Sequence, residues 1–172
     1  MTGPALSLAE RVARLEDLEA IRALDARYCR ALDEDDFETL VSLFTTDGQF
    51  IGLSRAQGHD QLLPFFAGLA DAGLTAFWHY VTNLEIELGN PGSPTADRAW
   101  ARSRLWQPCV QDGVAHIAAG RYQDVLHRVD GRWLYATKQV SFDFFLPLTE
   151  GWDHGKFTIP AAAATYPGRT RT

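Results

Sequence analysis

The sequence predicts an α+β fold: a curved antiparallel sheet with N-terminal helices packed on its concave face. Three observations lead there. Helical periodicity is confined to the first part of the chain, period-two alternation begins at Thr75, and the alternating segments are joined by tight turns rather than by helices. The chain's 172 residues have room for one such domain and its core. The reading is a single domain over 1–172, with its core at about 8–145 and an irregular C-terminal tail at 146–172. Helices laid on a curved sheet leave a pocket between the sheet and the first helix.

Ser7 and Glu10 form an S-x-x-E capping box, so the first helix starts near Leu8. Val12, Leu15, Leu18, Ile21, Leu24 and Tyr28 give it one apolar stripe, and it runs to about Leu32. An acidic cluster follows, Asp33 to Asp36. Asp35 with Glu38 repeats the capping pattern and starts a short second helix through Phe37, Leu40, Val41 and Phe44, where the helix dipole favours acids. Thr46–Leu53 reads as a strand. Gly58 and His59 precede a third helix at about 59–72, in which Pro64 marks a kink or a late start. Ala76–Leu88 reads as one long strand, with Trp78, Tyr80, Leu84, Ile86 and Leu88 alternating with Glu85 and Glu87. The turn-rich GNPGSPTAD leads to a strand over Arg98–Val110. Asp112-Gly113 and Asp130-Gly131 are hairpin signals, joining it to Val114–Val129 and then to Trp133–Phe145.

Composition removes several function classes. The formal charge is −6 and the basic residues are scattered, which argues against nucleic acid and against an anionic membrane surface as partners. No stretch reaches the roughly 18 apolar residues of a membrane helix, and the N-terminus MTGPALSLAERVARLEDL lacks the apolar core of a signal peptide. A cytoplasmic protein is expected. Cys29 and Cys109 stand alone, as free thiols. His59, His79, His116, His127 and His154 show no chelating spacing, and no phosphate-binding Gly-rich loop or G-x-S-x-G elbow occurs. Neither a metal nor a cofactor is expected.

One pair remains. Asp33 lies where the first helix ends. His79 lies in F-W-H-Y-V-T-N, with Phe77 and Val81 two residues to either side, so its ring is expected to face a partly dry space. A neutral imidazole there needs a hydrogen bond to fix its tautomer, and a carboxylate does this while stabilising the imidazolium formed on proton uptake. The same residues have a plainer reading, a satisfied histidine and a solvated acidic turn, and spacing alone does not choose between the two.

The segment LEDLEAIRALDARYCRALDEDDFETLVSLFTTDG, with HYVTNLEIEL and GRYQDVLHRVDGRW, is similar to the opening helices and strand motifs of SnoaL-like proteins, within the nuclear transport factor 2-like superfamily. The resemblance covers about residues 8–145. It implies a cone of curved sheet around a pocket, commonly a homodimer or higher homo-oligomer. Among the group's lyases are scytalone dehydratase, the bile-acid dehydratase and hexachlorocyclohexane dehydrochlorinase. Their shared Asp and His fall on Asp33 and His79, a Tyr falls on Tyr28, and a strand Arg falls on Lys138. The place of a second His is held by Cys109, and that of a further Asp lies near Gln107.

The expected activity is that of a cofactor-independent small-molecule lyase acting on a hydrophobic ring compound. Asp33 and His79 are its catalytic pair, assisted by Tyr28 or Lys138. Trp78, Trp106, Gln107 and Phe142 are the candidate substrate-binding residues. Tyr28 reads equally well as core, and Lys138 as a surface lysine near a strand end; Arg104 and the aromatic Phe144 and Phe145 also lie in reach of such a site. Two alternatives stay open: an isomerase or cyclase using the same pair, and a non-catalytic domain that binds an apolar ligand.

Overall fold

A computed structural model describes residues 6–52 and 54–150. Helix α1 (Leu8–Asp33) starts at its capping box: the Ser7 hydroxyl accepts the Glu10 N–H, and the Glu10 carboxylate accepts the Ser7 N–H at 2.7 Å, an arrangement worth about 1 kcal/mol. The apolar stripe is buried only from Ile21 onward. Val12 and Leu15 are exposed, since nothing in the described chain packs over them.

The acidic cluster resolves into distinct backbone roles. The Asp35 N–H bonds to the Leu32 carbonyl and the Asp36 N–H to the Ala31 carbonyl, with Asp35 at φ 59°. This is a Schellman stop, in which Asp replaces the usual glycine in the left-handed position. The cap of helix α2 (Phe37–Ser42) is therefore Asp36, which accepts the Thr39 N–H at 3.1 Å, and not Asp35 as the spacing suggested. Asp33 is left as the last residue of α1.

The remaining elements are β1 (Phe44–Ile51), β2 (Arg55–Gln57), α3 (His59–Ala67), β3 (Leu74–Phe77), β4 (Tyr80–Leu88), β5 (Arg98–Gln111), β6 (Val114–Val129) and β7 (Arg132–Pro147). They form one sheet in the order β2-β1-β7-β6-β5-β3, with β4 also paired to β5. The sheet is mixed and not wholly antiparallel, because β1 runs parallel to β7. Both hairpin signals hold: Asp112-Gly113 and Asp130-Gly131 have positive φ at both central residues, the mirror-image turn that matches strand twist. The first strand begins at Phe44, earlier than expected, and α3 ends at Ala67 and not near 72. β7 extends to Pro147, two positions into the expected irregular tail. The rest of that tail, 151–172, and Leu53 lie outside the described residues.

Strand β5 buries alternate residues on one face, and β6 does the same from Ala118 onward. Ala99, Ala101, Ser103, Leu105, Gln107 and Cys109 point under the helices, while Trp100, Arg102, Arg104 and Trp106 point the other way, to solvent. Register shifts between Thr82 and Glu85, at Ala119/Gly120 and at Val125/Leu126 bend the sheet toward its helical side. Gly120 permits one of these bends: a Cβ there would come 2.3 Å from the Ser141 carbonyl oxygen.

Candidate functional site

The predicted strand over Ala76–Leu88 breaks at Trp78 and His79, and the break makes the site. Trp78 still donates its N–H to the Pro108 carbonyl at 3.1 Å. Pro108 has no N–H to return, so the ladder between this segment and β5 opens at that residue. The pairs Phe77–Cys109 and Tyr80–Trp106 resume on either side, which brings His79 alongside Gln107. Trp78 and Pro108 occupy a hydrogen-bonded position of the ladder, so His79 beside them directs its N–H away from β5, and that N–H goes to Asp33 Oδ2 at 2.9 Å.

Asp33 grips the same residue twice, its Oδ1 lying 2.5 Å from His79 Nδ1. An ionised carboxylate can only accept, so Nδ1 carries the proton. In the neutral ring Nε2 is then the basic nitrogen. The His79 side chain is 5% exposed and that of Asp33 21%, and the Phe77 ring lies edge-on to the imidazole at 5.4 Å. The C-terminal end of α1 adds partial negative charge beside the pair. Such an arrangement takes up a proton at Nε2 and stabilises the cation that results.

A second polar cluster lies two turns back along α1. Lys138 was expected near a strand-end surface, yet it is fully buried, because its row of the sheet faces inward beside Asp124 of β6. Its ammonium bonds Asp25 Oδ1 at 3.2 Å, Asp124 Oδ2 at 3.0 Å and the Tyr135 hydroxyl at 3.3 Å. The rings of Tyr28, Tyr122 and Tyr135 surround it at 4.4, 4.2 and 4.4 Å. Burial pushes the Asp124 carboxyl up to about 6 against the pull of Lys138. Burial also disfavours the Lys138 ammonium, but Asp124 and Asp25 outweigh it and hold the group above its ordinary value. All three phenols are kept protonated by burial, reinforced by the nearby carboxylates.

The other predicted residues divide between the two faces. Tyr28 is completely buried, and its hydroxyl has no partner among the described residues. Helix α1 stays wound through Asp33, so Tyr28 and Asp33 do not converge. Gln107 is buried on the inner face, and Phe142 is half-buried there, 6.3 Å from Phe145 between ring centres. Trp78 and Trp106 do not line this side. Trp106 adjoins Gln107 in one strand, and successive residues of a strand cannot share a face. It stands on the outer face, edge-on to Phe144, and Trp78 is half exposed. Arg104 is on the outer face as well, near Asp143.

The sequence reading overlooked Asp25 and Asp124. Asp25 interrupts the buried stripe between Leu24 and Tyr28, and Asp124 sits in the inward register with Tyr122 and Leu126. A charge in a buried register is the signal that marks both. Two shallow concavities, of about 560 and 670 Å³, lie along the outer face and are edged by Glu85, Arg102 and Gln123. Neither is lined by Asp33 or His79. Among the described residues no three His, Cys, Asp or Glu side chains are grouped to hold a metal ion, and no helix is long and apolar enough to cross a membrane.

Fold and site together define an α+β domain of helices on a curved mixed sheet, with an acid–imidazole pair held between helix and sheet. The chain belongs to the SnoaL-like domain family, whose model matches residues 13–138. No curated protein matches the sequence. Its structure resembles a scytalone dehydratase-like protein from Novosphingobium aromaticivorans, with TM-score 0.68, 21% identity, and 78% of this chain and 89% of that one covered. It is similar also to a hexachlorocyclohexane dehydrochlorinase from Novosphingobium barchaimii, with TM-score 0.72, 21% identity and coverage of 87% and 99%. An aromatic ring hydroxylase-like protein from N. aromaticivorans gives TM-score 0.67, 27% identity and coverage of 77% and 94%. At 21% identity the first two likenesses establish the nuclear transport factor 2-like fold, and the fold hosts many functions.

Proposed function

We propose that this chain is a cofactor-independent small-molecule lyase of the dehydratase or dehydrohalogenase type. The observation that carries the reading is the double grip of Asp33 on His79, through Nδ1 at 2.5 Å and the backbone N–H at 2.9 Å. His79 Nε2 removes a proton from carbon. The electrons of that C–H bond form the double bond, and a hydroxyl or halide leaves from the adjacent carbon with its bonding pair. Two structural neighbours are a dehydratase-like protein and a dehydrochlorinase, which supports elimination as the reaction class.

A hydrophobic ring compound suits the inner face, where Phe77, Leu105, Phe142 and Phe145 lie around the polar groups. Lys138 is enclosed and held by two carboxylates and Tyr28 is buried against it, so help to the leaving group falls to the Gln107 amide opposite His79. The protein is further proposed to be cytoplasmic and to pair with copies of itself through the outer sheet face, where Trp100 and Trp106 are exposed.

The test is a turnover screen on cyclic alcohols, ketols and halides, followed by His79→Ala on any substrate found. The expected loss is about 100- to 10,000-fold in kcat, the ordinary worth of a positioned base. Turnover that survives His79→Ala removes the base assignment. Tight binding of ring compounds without turnover by the wild type favours the ligand-binding alternative.

A further inference from the structure

Three aspartates recur along α1 at intervals of eight, and each fastens the helix to a different part of the sheet. Asp17 accepts the Trp133 Nε1–H at 2.9 Å and pairs with Arg128 at 2.5 Å. Asp25 accepts Lys138 and Tyr135 on one oxygen, both at 3.2 Å. Asp33 takes His79. Eight residues advance a helix by about 12 Å and turn it about 80° past two full revolutions. The three carboxylates thus follow a slow spiral, matching a sheet whose strands twist beneath a straight rod.

The fastenings differ in strength. Asp17 is near the exposed end of the helix, and its partner Arg128 is shared with Asp97. Asp25 is the buried one, seated on a lysine that is itself tied to Asp124 in the next strand. A rod held there transmits its register two turns onward, where a shift of a few tenths of an ångström decides whether Asp33 reaches both donors of His79. We propose that Asp25 is a positioning residue for the Asp33–His79 pair, acting through the register of α1 on β7. The proposal rests on the proton-transfer reading for its functional meaning, but its geometry is measurable without any substrate.

The experiment reads the tautomer of His79 in the whole protein by nitrogen NMR of labelled histidine, with the His79 signal identified by its loss in His79→Ala. Asp33→Asn calibrates the scale by lowering the Nδ1–H fraction. Asp25→Leu, which removes the acceptor, is expected to lower that fraction by at least half as much. Asp25→Asn keeps an oxygen for Lys138 and Tyr135 and is expected to restore the wild-type value. Leu126→Ala, a cavity in the sheet with no bond to α1, should destabilise the protein without moving the signal. Tyr135→Phe removes one of the two bonds to Asp25 and should give a smaller shift of the same sign, so it decides the matter where Asp25→Leu does not fold. An unmoved tautomer in Asp25→Leu, or in Tyr135→Phe when that variant must decide, overturns the positioning role. Should Asp33→Asn itself leave the signal in place, the failure lies with the pair and not with Asp25.

Discussion

Lys138→Met isolates the electrostatics of the inner cluster, because methionine keeps much of the aliphatic stem and removes only the charged end. In the wild type the ammonium is bonded to Asp25 at 3.2 Å and to Asp124 at 3.0 Å, and its side chain is 0% exposed. Taking it away strands two enclosed carboxylates, and breaking a buried pair in this manner costs about 3–5 kcal/mol. With a urea slope of about 1–3 kcal/mol per molar, the midpoint at pH 7 should fall by roughly 1–5 M. The loss must also depend on pH. Asp124, already pushed up to about 6 beside Lys138, rises further once the cation is gone. The folded variant then binds protons that the unfolded chain releases above the ordinary carboxylate range, so its stability falls as pH rises. Urea titrations at pH 5 and pH 8 should show the larger destabilisation at pH 8. A loss under about 1 kcal/mol, or an equal loss at both pH values, would refute the picture of a dry, mutually dependent cluster.

The wild type carries a weaker version of the same dependence. Its Asp124 titrates near 6 against 3.8 in the unfolded chain, so this group's contribution should decline as pH rises from about 4 to about 6; Asp124→Asn should flatten that limb of the stability–pH curve. Lys138, held above its ordinary value, contributes stability that is complete below about 10.5 and fades at higher pH, a limb that Lys138→Met should lack. Cys29 is pushed up to about 12 and Cys109 to about 11, by burial first in both cases. Neither thiol should react with a disulfide reagent at pH 8 until denaturant is added, and rapid labelling of the folded protein would contradict their burial. If copies associate through the outer sheet face, Trp106→Glu should shift the sedimenting species toward monomer with the far-ultraviolet spectrum unchanged.

Much of the fold was legible because local signals and tertiary needs coincide. The capping box at Ser7, the two Asp-Gly hairpins and the alternation of β5 all concern residues near one another in the chain, and each appears where local chemistry places it. What escaped was governed by partners far away in sequence. The parallel contact of β1 with β7 joins residues such as Phe50 and Lys138, with no turn between them to announce it. Lys138 reads as a surface residue by composition, and only the register that sets it beside Asp124 reverses this. Trp106, as an aromatic, and Gln107, through the resemblance, were assigned to one site, although neighbours in one strand must part company.

The candidate pair shows the same division inside a single site. Asp33 and His79 were named by residue type and resemblance, but the contact itself rests on the register that sets His79 opposite Gln107, twenty-eight residues further along the chain. Without an N–H, Pro108 leaves the rung to the Trp78 carbonyl unmade, while His79, one position on, directs its N–H away from β5 and toward the helix. Replacing Pro108 by Ala supplies that rung without competing for the His79 N–H. The expected consequence is a new amide at position 108 that is protected from exchange, with the Nδ1–H tautomer of His79 kept. Loss of that tautomer in Pro108→Ala would show instead that the open rung is what lets His79 reach the acid.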